Sequence, residues 1–151
     1  MAVFETKVTL ECPQQSLFDF LLRPANVARI SPPNLGLCFT SAPEIVELGS
    51  RLEFKIQGFG QIQTLVHEIT ALEAPSRITE KQIRGLFGSW IHDHLFETNA
   101  DGAVIVTDRI EFEPPAGLLG LLITKNRIID HLEEGFDHRH DVLRKLMVAA
   151  E

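Results

Sequence analysis

Residues 88–113 read GSWIHDHLFETNADGAVIVTDRIEFE, and the way this stretch folds back on itself decides the architecture. Both halves alternate polar and apolar residues with period two, the signature of strands with one buried face. Trp90, His92, His94 and Phe96 share one face of the first strand, and Val104, Val106, Asp108, Ile110 and Phe112 share the more apolar face of the second. Residues opposite each other in a hairpin lie on one side of the sheet, so the turn must match these two faces. A two-residue Asp101-Gly102 turn mispairs them by one. A three-residue loop over residues 100–102, with Gly102 left-handed, pairs Asn99 with Ala103 and aligns them. That register sets His94 opposite Asp108, His92 opposite Ile110, Trp90 opposite Phe112 and Phe96 opposite Val106.

On either side the pattern extends the same plan. Residues 3–11 alternate as a strand. Pro13 opens a helix over residues 13–22, with Leu17, Phe18, Leu21 and Leu22 on one face, stopped at Arg23-Pro24. A second short helix is expected at residues 25–30. Residues 31–43 read as a turn-rich connector. Residues 51–57 place Leu52, Phe54 and Ile56 on one strand face, and Gly58-Phe59-Gly60 turns the chain into residues 61–72. No helix follows these glycines, which argues for a turn rather than a nucleotide loop. Ala74-Pro75-Ser76 leads to a strand at residues 77–84, and residues 85–88 break again. From Leu118 the period becomes helical. Ile129, Leu132, Phe136, His140, Leu143 and Met147 mark one stripe of a long amphipathic helix. Gly135 within it predicts a bend or a close approach, since helical glycine costs roughly 1 kcal/mol against alanine. The expected fold is α+β, with an antiparallel sheet curved around the terminal helix and two short helices after the first strand.

Bulk properties narrow the function. A chain of 151 residues is one domain's worth, 1–151. Its net charge of −7 argues against nucleic-acid partners, which require clustered Lys and Arg. Two cysteines, Cys12 and Cys38, suit reduced thiols in a cytoplasmic protein better than a disulfide framework. The N-terminus lacks the pattern of a signal peptide. The apolar stretch at residues 116–123 is far shorter than the ~20 residues of a membrane span, so no stable membrane insertion is expected.

The inward His94–Asp108 pair among apolar groups admits three readings. It is a polar anchor inside a ligand cavity, a buried structural pair, or part of a metal site. Strand-borne His-x-His resembles the cupin metal motif, whose third ligand is a downstream glutamate. Here Glu97 has the wrong parity, and ligation would need Asp108 or His140, so neither metal nor cofactor is expected. The six serines lack a nucleophile-elbow pattern, and neither cysteine has a catalytic context.

The segments PANVARISPPNLGL (24–37), GSRLEFKI (49–56), GSWIHDHLFE (88–97), VTDRIEFEPPAG (106–117) and GFDHRHDVLRKL (135–146) resemble, in order and spacing, the SRPBCC superfamily, particularly its bacterial cyclase/dehydrase-like members. The likeness extends to the folds of plant Bet v 1 and START lipid-binding domains. The chain departs from the look-alikes at Thr79-Glu80, where they often carry an aromatic residue and an aspartate. The resemblance implies a helix-grip fold enclosing a cavity for a lipid, polyketide or other apolar molecule. The expected ligand contacts are Phe54, Trp90, His92, His94, Phe96, Asp108, Phe112, Phe136 and His140. The alternative is a cofactor-independent cyclase, dehydratase or isomerase in which Asp108 orients His94 as general acid/base. The oligomeric state stays open, a homodimer included.

Overall fold

The computed structural model describes residues 1–149, and its sheet is built outward from the hairpin. β6 (Ser89–Thr98) and β7 (Val104–Glu113) pair with His94 opposite Asp108, His92 opposite Ile110 and Trp90 opposite Phe112. The three-residue loop is as expected. Asn99 N–H donates to the Ala103 carbonyl at 2.8 Å, the Asn99 side-chain oxygen accepts from the Asp101 and Ala103 N–H groups, and Gly102 takes φ +84°. β7 then alternates buried and part-exposed residues along its length, because its period-two pattern puts Val104, Val106, Ile110 and Phe112 on the concave face.

Among the described residues, seven strands form one antiparallel sheet in the order β1-β7-β6-β5-β4-β3-β2. β1 (Ala2–Leu10) closes one edge against β7, while β5 (Arg77–Arg84), β4 (Gln61–Glu73) and β3 (Arg51–Gly58) continue from β6. β3 and β4 are joined by the two-residue Phe59-Gly60 turn, both at positive φ. The remaining edge is β2 (Cys38–Ser41), preceded by a 3₁₀ turn at Pro33–Leu35. Both lie in the segment expected to be a plain connector. β2 has four largely exposed residues and a register shift against β3, so no alternation marks it in the sequence.

After β1, α1 (Gln14–Leu21) buries Leu17, Phe18 and Leu21, and α2 (Pro24–Ile30) starts with its proline in the first turn, where the missing N–H is harmless. The Gln14 amide donates to the Pro75 and Phe96 carbonyls, pinning α1 to the sheet. The terminal helix differs from expectation at its start. A single turn, α3 (Leu119–Leu122), leaves Leu118, Leu121 and Leu122 exposed, and α4 (Lys125–Ala149) begins afterwards. The Thr124 hydroxyl accepts from the Arg127 N–H, a capping contact that the apolar periodicity runs straight past. Along α4, Phe136, His140, Leu143 and Met147 are buried as the stripe predicts. Ile129 and Leu132 are only half-buried, and Ile128 takes the deeper position. Among the described residues no helix is long and apolar enough to cross a membrane.

The core is split. One apolar cluster gathers α1, α2 and the sheet with Leu143 and Met147 of α4. The other gathers Phe4, Ile110 and Phe112 with Ile123, Ile128 and Phe136. α4 lies closest to β1 and α2, and between it and the middle of the sheet a cavity remains.

Candidate functional site

The cavity has a volume of about 970 Å³ and is bounded by the sheet's concave face, the α2–β2 connector, the β3–β4 turn and α4. Most of its wall is apolar, with Leu52, Phe54, Leu65, Ile78, Ile110 and Phe136 among the contributors. Phe59 at the β3–β4 turn packs on His131 of α4, with ring centroids 4.5 Å apart, and this contact forms part of the cavity boundary. Gly135 also lines the cavity. A Cβ built there would meet nothing within 4 Å, so no neighbour packs so closely as to require glycine at this position.

One wall is polar. His67 of β4, Glu80 of β5 and His92 and His94 of β6 all reach the cavity. Their strands are neighbours, and the ladder sets Glu80 beside His92 and His94 beside Asp108 of β7, so the alternation of strand side chains delivers one row of ionisable groups across four strands. The imidazoles of His92 and His94 lie face to face, with centroids 3.8 Å apart. Asp108 Oδ1 stands 2.8 Å from both His92 Nε2 and His94 Nδ1, and only the contact to His92 is aligned as a hydrogen bond. On the other side of the two rings, Glu80 Oε1 stands 3.4 Å from His92 Nδ1 and from His94 Nε2. The second Glu80 oxygen is 3.2 Å from His67 Nδ1.

The electrostatics follow from this sandwich. Burial is the largest influence on Glu80 and would raise its pKa, but hydrogen bonds from His67, His92 and His94 outweigh it and hold the carboxyl well below the ordinary range. Asp108 is likewise opposed by burial and held well below the ordinary range by the charge of His94 and the contacts of both imidazoles. For His94 burial disfavours the charged ring, yet the charge and contact of Asp108, with help from Glu80, push its pKa up to about 9. The row is therefore an ion-pair network with two carboxylates, Asp108 buried and Glu80 part-buried.

Trp90, His92, His94, Phe54 and Phe136 line the cavity; Phe96, Asp108, Phe112 and His140 do not. Asp108 acts from behind the imidazoles, and Phe96 packs on Phe18 of α1. Phe112 is fully buried beside Trp90. His140 is buried against Phe136, its Nε2 without a hydrogen-bond partner, and so sits in the core rather than on the cavity wall. The expected His94–Asp108 pairing is also modified, because the aligned bond of Asp108 goes to His92. The residues that sequence reasoning missed are Glu80 and its partner His67. The signal for Glu80 is present: parity puts Glu80 with Ile78 and Gln82 on one face of its strand, but a lone glutamate among Thr79, Lys81 and Gln82 gives no reason to prefer one face.

An antiparallel sheet wrapped around a long C-terminal helix, with two short helices after the first strand and a cavity between sheet and helix, is the Bet v 1-like helix-grip fold. No protein-family model and no curated protein sequence matches the chain. Solved structures do. TTHA0849 from Thermus thermophilus superposes with a TM-score of 0.75 at 12% identity, covering 99% of each chain. CV1439 from Chromobacterium violaceum gives 0.73 at 15% identity over 97% of this chain and 98% of its own. Major latex-like protein 151 from Panax ginseng gives 0.67 at 16% identity over 93% of this chain and 95% of its own.

Proposed function

We propose that the protein binds a small, predominantly apolar molecule of lipid, polyketide or aromatic type in the cavity between sheet and α4, with the histidine wall reading a polar group on that molecule. The observation that carries this reading is a row of histidine and glutamate side chains on the sheet wall of a mostly apolar cavity of about 970 Å³. Ligand sites are mostly apolar with a few convergent polar groups, and this volume lies at the upper end of their usual range. Phe54, Trp90 and Phe136 supply flat apolar contacts. His92 and His94 supply the polar ones, oriented from behind by Asp108, while Phe96, Phe112 and His140 support the walls.

The test is displacement of an apolar fluorescent probe, 1-anilinonaphthalene-8-sulfonate, by fatty acids, sterols and aromatic polyketides, for the wild type and for Gly135→Leu. The substitution adds a side chain at a cavity-lining position where a Cβ meets no neighbour within 4 Å. We expect saturable binding in the wild type and at least a tenfold loss in the variant, with the fold retained. Binding equal in both would place the probe elsewhere and remove the cavity from the function.

A second reading keeps the site and adds turnover. His94 has one ring nitrogen beside Asp108 while the other reaches toward Glu80 on the polar wall, the arrangement of an oriented acid/base group that would serve a cyclisation or dehydration. Under it, Asp108→Asn lowers product formation by the roughly 10²–10⁴-fold typical of lost acid–base help while binding persists. Under the binding reading no ligand is consumed by either form.

A further inference from the structure

We propose that Glu80, His92 and His94 bind a single divalent first-row transition-metal ion on the polar wall of the cavity. One donor atom from each lies within 4.8 Å of the others. Glu80 Oε1 is 3.4 Å from both facing imidazole nitrogens, His92 Nδ1 and His94 Nε2. Two donors each about 2.0–2.1 Å from a tetrahedral ion stand about 3.3–3.4 Å apart, so the carboxylate and the rings already have that spacing.

The far sides of the rings fit the same reading. Histidines that ligate a metal almost always present their other ring nitrogen to a carboxylate or carbonyl, which fixes the tautomer. Here one buried carboxylate oxygen, Asp108 Oδ1, stands 2.8 Å from the far nitrogen of each ring. A neutral imidazole carries one N–H. Where a ring's N–H is turned to Asp108, its near nitrogen and Glu80 Oε1 offer lone pairs to the same point, and a cation there is held by both.

His67 holds the other Glu80 oxygen at 3.2 Å, leaving Oε1 for the ion. Two nitrogens and one carboxylate oxygen on adjacent strands make a donor set for Zn²⁺ or Fe²⁺ rather than for Ca²⁺ or Mg²⁺, which prefer all-oxygen sites. Three protein ligands leave further coordination positions, and the cavity is the side from which an oxygen of a bound molecule would fill them. That last consequence rests on the ligand-binding reading; the metal site itself does not.

The experiment strips the protein with chelator and titrates it with Co²⁺ alone, following visible absorption, then displaces Co²⁺ with Zn²⁺. No organic ligand is added, so the outcome is independent of whether the cavity binds an apolar molecule. We expect saturation at one equivalent with the intense absorption of a low-coordinate Co²⁺ site. Glu80→Gln and His94→Ala should each weaken binding at least tenfold, Asp108→Asn by the 10–100-fold typical of a lost orienting partner, and His131→Ala not at all. If His94→Ala does not fold, Glu80→Gln, at a part-exposed position, decides alone. Absence of saturable binding, or binding that survives Glu80→Gln, overturns the proposal.

Discussion

Asp108 and His140 are both buried polar residues, yet the protein treats them oppositely. Asp108 is held as a charge because two imidazoles face it, whereas His140 has an orphan Nε2 and no carboxylate in contact. Burial therefore lowers the pKa of His140 below its ordinary value, reinforced by Arg139 and Arg144 against the pull of Asp108 and Asp137. The sign follows. Between its ordinary value of about 6.5 and its lowered folded value, the unfolded chain binds a proton at this residue that the folded chain does not, so stability falls as pH falls through that window. Replacing His140 by leucine removes the proton uptake. Thermal unfolding from pH 7 to pH 5 should then show a shallower loss of Tm in His140→Leu than in the wild type, and parallel curves would show that His140 does not titrate on unfolding.

At the scale of elements, the β6–β7 hairpin carries the register on which the site depends. Slipping it by one residue would send His92 and His94 to the convex face and break the row with Glu80 and Asp108. Gly102 holds that register through its left-handed backbone, and a Cβ there would meet nothing within 4 Å, so substitution is opposed by backbone strain alone. Gly102→Ala should destabilise by about 1–2 kcal/mol in urea unfolding, the penalty for a non-glycine residue in this conformation. A neutral result would mean that the loop relaxes without disturbing the ladder. α4 is the other element with a double task, since one stripe must fill the core near β1 while Gly135 lines the cavity beside it.

Over the whole molecule, the split core explains how the protein can be stable and hollow. Two apolar clusters, one around α1 and α2 and one around Phe112 and Phe136, hold the sheet and α4 together on either side of the chamber. Phe136 belongs to both worlds: it packs on Phe4 at 5.6 Å between centroids, and it lines the cavity near His92 at 5.9 Å. Because one side of the ring already meets open space, Phe136→Ala should cost about 3 kcal/mol, the low end of the range for a buried phenylalanine. Chemical denaturation measures the loss, and a value under about 1 kcal/mol would show that the second cluster does not depend on this ring.

The sequence by itself determined the order of the six strands other than β2, the hairpin register and the inward direction of His92, His94 and Asp108. Each of these is a local property: period two sets the face, loop length and a left-handed glycine set the pairing, and period 3.6 sets the stripe of α4. Local signals failed at β2, too short and exposed to alternate, and at the start of α4, where the Thr124 cap interrupts an apolar run. Only the tertiary structure decided which groups meet. Glu80 joins the histidines because β5 lies beside β6, His140 and Phe96 turn into packed core, and the distance kept between α4 and the sheet turns a concave face into a chamber. Those outcomes depend on strand neighbourhood and on the summed volume of side chains between layers, which no single segment encodes.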